Sequence, residues 1–219
     1  VRKCYECRKP FSVKVGTIFE SPHVPLHLWL QAIHLLCASK KGMSSNQLHR
    51  ILGITLKSAW FLSHRIRLAL TSKPVGQLGG DGKHVEADET YIGFRNDVTP
   101  GGFEHKRVVL SLVERGGEVR SFRVANVTAE SLGGAIRRNV SRDAHLRTDA
   151  FQSYKKVGKE FASHEVVDHA DYYVMGDAHT NTAENFFSLL KRGINGIYHH
   201  VSEAHLPRYL AEFDYRYNN

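Results

Sequence analysis

Cysteine is scarce in this chain: three in 219 residues. That is too few for a disulfide scaffold, so a reducing compartment is the default. Long apolar runs are missing as well. No stretch reaches the length of a membrane span, and no basic–apolar–small segment opens the chain, so neither an anchor nor a secretory leader is expected. There is no internal repeat and no low-complexity tract. With 42% hydrophobic and 24% charged residues, the composition is that of a soluble globular protein and excludes a disordered one.

Acids are missing from one part of the chain only. Residues 1–83 hold thirteen lysines and arginines against Glu6, Glu20 and Asp81, a net charge of +10. Residues 84–219 hold seventeen against nineteen acids, a net of −2. The overall +8 is therefore a basic front end on a near-neutral body. A front end of that kind points to nucleic acid or another anionic surface.

The run Thr71–Lys83, rich in Gly, Pro and Ser and without periodicity, reads as a linker. Before it the pattern is helical. Leu26–Ala38 has helix spacing behind Pro25. A short helix over Ser44–Leu52 follows, capped by Ser44 or Ser45. Gly53-Ile54 turns the chain, and Thr55 caps a third helix to about Leu70, with a core stripe of Ala59, Leu62, Ile66 and Leu70. Helix, Gly-containing turn, helix is the pattern of a helix-turn-helix domain over residues 21–70. The outer face of the third helix carries Lys57, Ser58, Phe61 and Arg65, and Arg67 follows. That face suits a major-groove reader, and a three-helix bundle with a solvated basic face would look the same.

After the linker the period changes. Lys83–Ile92 alternates Val85, Ala87 and Glu89 against His84, Glu86 and Asp88. Arg107–Val113 (RVVLSLV) is an apolar run fit for a central strand. Glu118–Ala125 alternates again after the hairpin signal Gly116-Gly117. Thr128 caps a helix to about Val140. A strand over Ala144–Thr148 ends at Asp149. A helix or turn at Phe151–Lys156, a strand at Glu165–Val167 and a helix over Ala178–Gly193, stopped by Gly193, follow. Ser202 caps a last helix, Glu203–Tyr217. This is an α/β body whose order is shared by nucleases and transferases of the ribonuclease H type, with a mixed sheet and flanking helices over residues 84–219.

Three acids sit where a charge is costly unless paired. Asp88 lies inside the first strand, Asp149 ends the fourth, and Glu184 lies among Phe186, Phe187, Leu189 and Leu190. If the first and fourth strands are neighbours and the helix crosses them, the three converge. Converging carboxylates repel, and a hard divalent cation, Mg²⁺ or Mn²⁺, relieves the repulsion. Two such ions serve phosphodiester chemistry. For each acid, a helix cap or a surface charge is the competing reading. Lys191 lies two turns beyond Glu184 on one helix face, with Ser188 between. It suits a DNA phosphate, or the helix macrodipole alone.

The runs V-E-A-D-E-T-Y-I-G (85–93), R-T-D-A-F-Q-S-Y (147–154), H-T-N-T-A-E-N-F-F-S-L-L-K-R-G-I-N-G-I-Y-H-H-V-S (179–202) and H-L-P-R-Y-L-A-E-F-D-Y-R-Y-N (205–218) resemble the DDE transposases of bacterial insertion sequences, most of all their ISXO-type branch. Those proteins carry a zinc ribbon, a helix-turn-helix and a ribonuclease H-like catalytic domain. The resemblance implies a DNA transposase that hydrolyses the phosphodiester at element ends and joins the 3′-end to target DNA. It implies catalytic Asp88, Asp149, Glu184 and Lys191, with Mg²⁺ or Mn²⁺ held by the three acids. Asn181 and Asn185 are weaker candidates for the third ligand. Lys57, Ser58, Arg65, Arg67 and Arg192 would contact double-stranded DNA. It further implies a homodimer or larger synaptic multimer and a cytoplasmic, nucleoid-associated site of action.

Two departures from the family stand out. Cys4 and Cys7 match the second knuckle of the zinc ribbon, so residues 1–20 read as a ribbon remnant. Structural zinc is not expected there, because it needs two such pairs and Cys37 falls within a helix. The chain also stops near Asn218-Asn219, as a fragment or truncated reading frame would. An inactive fragment or DNA-binding regulator is the competing function. His179, His199, His200 and His205 suit phosphate contacts or backbone caps better than a soft metal site. Tyr198 and Tyr209 read as core or DNA-packing residues rather than recombinase nucleophiles.

Overall fold

In the computed structural model, residues 2–20, 23–71, 75–93, 106–167 and 180–219 are described. The chain divides into two compact units, Val1–Thr71 and Ser72–Asn219.

The amino-terminal unit opens with a small antiparallel hairpin, β1 (Arg2–Lys3) and β2 (Pro10–Phe11). Cys4 and Cys7 sit in its turn. The Cys7 and Glu6 amides hold the Cys4 thiol below its usual range. Three helices follow: α1 (Leu26–Ala38), α2 (Ser45–Leu52) and α3 (Leu56–Ala69). Ser44 and Gln47 close a reciprocal capping box on α2, which satisfies two amide donors that the first turn would leave bare. Gly53 ends α2 at φ 65, a left-handed conformation that suits glycine. Thr55 then caps α3. One apolar cluster holds the helices together, with Trp29, Leu36, Leu48, Leu62 and Ile66 at its centre.

The second unit is built on a five-stranded mixed sheet in the order β5-β4-β3-β6-β7. Its strands are β3 (His84–Ile92), β4 (Arg107–Glu114), β5 (Val119–Val124), β6 (His145–Asp149) and β7 (Ser163–Val167). The pairs β5–β4 and β4–β3 are antiparallel, whereas β3–β6 and β6–β7 are parallel. This is the ribonuclease H-like mixed sheet expected from the element order. Helices α4 (Ala129–Asn139) and α5 (Gln152–Gly158) pack on one face, over Val85, Ala87, Leu110 and Leu112. Helices α6 (Asn181–Gly193) and α7 (Leu206–Asn218) cover the other, over Ile92, Val109 and Val113. Strand alternation sends each strand's residues to both cores in turn.

Strand β5 is a sheet edge, and α7 blunts it. Asn218 Oδ1 accepts from the Val119 amide at 2.8 Å while its Nδ2 donates to the Val119 carbonyl at 3.0 Å. One turn earlier, Asp214 accepts from the Ser121 amide and hydroxyl. Two side chains four residues apart thus occupy hydrogen-bonding groups that would otherwise be open to another strand.

Several boundaries differ from expectation. The linker is shorter than Thr71–Lys83. Leu78 is 2% exposed, its amide donates to the Asn139 carbonyl, and its own carbonyl accepts from Ser141. A buried leucine with both backbone groups paired belongs to the body. Residues 72–74 lie outside the described set. Gly193 does not stop α6. It keeps helical angles, and the chain winds on through a wide π-turn, Ile194–Tyr198, ending at His199. The last helix begins at Leu206 rather than Glu203, because residues Ser202–His205 form a turn in which Ser202 O accepts from the His205 and Leu206 amides. Pro207 falls in the first turn of that later start, where its missing donor costs nothing. The expected start of α6 at Ala178, and His179, lie outside the described residues. No helix among the described residues is long and apolar enough to cross a membrane.

Candidate active site

The β3–β6 register ends at Ala87↔Thr148. Asp88 and Asp149 are therefore the next residues on two neighbouring parallel strands, whose backbones lie about 5 Å apart. This adjacency depends on β6 entering the sheet beside β3. Among the described residues, Asp88, Glu89 and Asp149 form the acidic cluster, with one ligand atom of each within 4.8 Å of the others.

Burial pushes the Asp88 carboxyl up to about 7, with added repulsion from Glu89, Asp149 and, more weakly, Glu184. Burial likewise raises Glu89, beside Asp149. The Asp88 carboxylate accepts from the Glu89 amide at 2.8 Å. Asp149 accepts from the Phe151 amide at 3.0 Å, so the capping alternative for Asp149 is partly realised, as a turn at the strand exit rather than a helix cap. Glu89 accepts from the Tyr154 hydroxyl. Tyr154 is fully buried on α5, and burial next to Glu89 raises its hydroxyl well above the ordinary value.

Glu184 comes from the first turn of α6. It lines a cavity with Asp88, Glu89, Thr90, Ser188, Lys191 and Arg192. The i, i+4, i+7 series Glu184, Ser188, Lys191 thus does share a face. Glu184 is not one of the three acids within 4.8 Å of each other; Glu89 takes that place. Arg192 is exposed on the same wall, its Nε donating to the Ser188 carbonyl at 3.1 Å.

What puts α6 there is an acid outside the expected site. Glu86 is 0% exposed and lies two residues before Asp88 on the same strand face. Its carboxylate accepts from the Thr182 amide at 2.9 Å, the Ala183 amide at 3.0 Å and the Thr182 hydroxyl at 2.9 Å. The Arg115 guanidinium donates to it at 2.7 Å. Those amides belong to the first turn of α6, where a negative charge is favoured by the helix dipole. Glu86 therefore pins to β3 the same first turn of α6 that carries Glu184. Alternation along the strand showed Glu86 and Asp88 on one face; nothing in the sequence linked Glu86 to Thr182, 96 residues away. Glu89 carried a readable signal, a charge in the Val85–Ala87 apolar stripe.

Three carboxylates with oxygens this close, two of them raised by burial and by mutual repulsion, fit a hard divalent cation. No softer ligand joins the cluster among the described residues.

The residues expected to read DNA have mixed surroundings. Lys57 is exposed on α3 and Ser58 is half-buried, bonded to the Thr55 cap. The Arg65 guanidinium lies over the Trp29 and Phe61 rings at 5.8 and 5.5 Å and donates to the Glu20 carbonyl. Arg67 does not face outward. It is 1% exposed and donates to Ser63 Oγ at 3.1 Å, because position 67 follows Ile66 into the core side of α3. The exposed surface of α3 also carries large apolar residues, Leu56, Trp60, Phe61 and Leu68.

The model of the ISXO2-like transposase domain matches residues 77–218. The chain is also 30% identical, over 97% of its length and 76% of the relative's, to an uncharacterized protein in transposable element ISH50 of Halobacterium salinarum.

Proposed function

The chain belongs to the ISXO2-like transposase family of insertion-sequence proteins, and from that premise we propose that it cuts phosphodiester bonds at the ends of a DNA element and joins the freed 3′-end to target DNA. The observation that carries the reading is the convergence of Asp88 and Asp149 at adjacent strand ends, with Glu184 and Lys191 on the α6 wall of the cavity that Asp88 lines. Asp88, Asp149 and Glu184 would hold Mg²⁺ or Mn²⁺, with Glu89 beside them, held by Tyr154. When bound, such ions activate the attacking oxygen and stabilise the leaving one.

The chain's own residues supply the rest. Lys191 and Arg192 neutralise and orient the phosphate being cut. Glu86 fixes the helix that carries both. The Tyr154 hydrogen bond orients the Glu89 carboxylate beside Asp88 and Asp149. The amino-terminal unit would hold the element's end, mostly through phosphate contacts from Lys57 and its basic neighbours. Joining two ends calls for a synaptic dimer or larger multimer.

The test is Mg²⁺-dependent nicking and strand transfer on DNA carrying the element's terminal repeats. Asp88→Asn and Asp149→Asn should each lower activity by at least about a hundredfold. Unchanged activity in both would overturn the site. DNA binding without Mn²⁺ binding in calorimetry would favour a DNA-binding regulator with an inactive body.

A further inference from the structure

Beside the acidic cavity lies a second one with the opposite chemistry. Its volume is about 360 Å³, and Lys106, Arg107, Lys191, Asn195, His199 and His200 contribute to its walls. No acid is among the described residues that line it. Lys191 lines both cavities, so the basic one adjoins the proposed cutting site. We propose that this groove binds the sugar–phosphate backbone of the DNA strand that enters the active site, a reading that rests on the transposase function proposed above.

Three features show a built wall rather than a chance gathering of cations. Arg107 is fixed by donation from Nη1 to the Val201 carbonyl at 3.0 Å, and its buried Nε has no hydrogen-bond partner among the described residues. Gly93, at φ 67, lets the guanidinium come close: a Cβ there would lie 2.9 Å from Nη1. The opposite wall is the π-turn Ile194–Tyr198, which ends with His199 at φ 57, ψ −47. A non-glycine residue at that angle is strained, and π-turns recur where a helix presents groups to a ligand. Here the turn delivers Asn195, His199 and His200 to the groove that Lys191 enters from the preceding helical turn.

The occupant follows from shape and charge. A groove whose described lining is rich in donors and holds no acid selects an anion, and Arg and Lys are the usual partners of phosphate. At the size of a small-ligand pocket, the groove takes a short stretch of backbone rather than a duplex. The shared Lys191 makes that stretch the one next to the bond being cut.

The test uses the full chain and a short DNA duplex with a single-stranded extension, followed by anisotropy across a salt series. For the triple variant Lys106→Gln, His199→Gln, His200→Gln, the dissociation constant should rise about tenfold and the salt slope should fall by about one to two. In the unsubstituted chain, saturating DNA should shield Lys106 and Lys191 from acetylation read by mass spectrometry. Mn²⁺ titration of the variant checks that its carboxylates are intact; where that binding is lost, the shielding experiment alone decides. Unchanged affinity and slope with Lys106 unshielded would overturn the groove while leaving the transposase reading standing. A parent chain that binds neither DNA nor Mn²⁺ would sink both.

Discussion

The two units use charge in opposite ways. In the amino-terminal unit the excess of cations is spread over exposed positions such as Lys40, Lys57 and Arg50, and acids are nearly absent. In the second unit charges of both signs go inside. Glu86 and Glu212 are both 0% exposed, and Arg147 is 2% exposed. Glu212 is bound by Arg216 and by the Tyr198 hydroxyl, and Arg147 by Glu165 at 3.2 Å. Exposed cations act collectively and are screened by salt. Buried charges act singly, each on one partner, and set position. The first arrangement suits holding a polyanion, and the second suits fixing a few atoms relative to one another. Arg67 is the exception in the first unit: a cation by sequence, but buried.

The contrast breaks hardest at Glu86. Glu86→Ala strips one carboxylate from two helix amides and the Arg115 guanidinium, so it should cost about 3–5 kcal/mol by chemical denaturation. A loss below about 1 kcal/mol would show that buried charge in the body is no more structural than surface charge in the front.

Next is the pH dependence of metal binding. Asp88 is raised to about 7 and must lose its proton to ligate, so Mn²⁺ affinity should fall about tenfold per pH unit below 7. Asp88→Asn should weaken binding and flatten that dependence, as read by calorimetry between pH 5.5 and 8. Without metal the linkage has the opposite sense. The folded value lies above the unfolded one, so the folded state holds the proton longer, and stability declines as pH rises from about 4 to 7. Asp214, also raised to about 7 by burial, acts in the same direction.

The front end should respond more mildly. Ser44→Ala removes the capping box of α2 and should cost about 1 kcal/mol in the thermal unfolding of the full chain. The smallest stability effect belongs to Lys57→Gln, within about 0.5 kcal/mol. Its effect should appear in DNA binding instead, as a salt slope lower by about one. A large stability loss at Lys57 would erase the distinction between the units.

Much of this was legible in the residues. Strand and helix periods located α1, the capped start of α3, β4 and the sheet's element order, since periodicity is a local consequence of which side faces a core. The Glu184–Ser188–Lys191 face followed from helix geometry alone. The misreadings share a cause. Gly193 looked like a stop, yet it keeps helical angles between the buried Leu190 and Ile194, and the turn ends at His199 instead. Arg67 looked like a DNA contact, because charge alone does not reveal which side of α3 meets the core. The stretch around Leu78 looked like linker, because its partners, Asn139 and Ser141, lie 61 and 63 residues away in sequence.

The sequence by itself determined the elements, the split between a basic front and an acid-bearing body, and the candidate acids Asp88, Asp149 and Glu184. These rest on local pattern and composition, which each segment carries alone. The tertiary structure decided what stands next to what. It placed Asp149 beside Asp88 through the β3–β6 register, put Glu89 rather than Glu184 in the tight cluster, and used Glu86 to anchor α6. It also set a basic groove against the acids through one shared lysine. Such neighbours come from chain segments tens of residues apart, and only the closing of the sheet and its two cores brings them within a few ångströms.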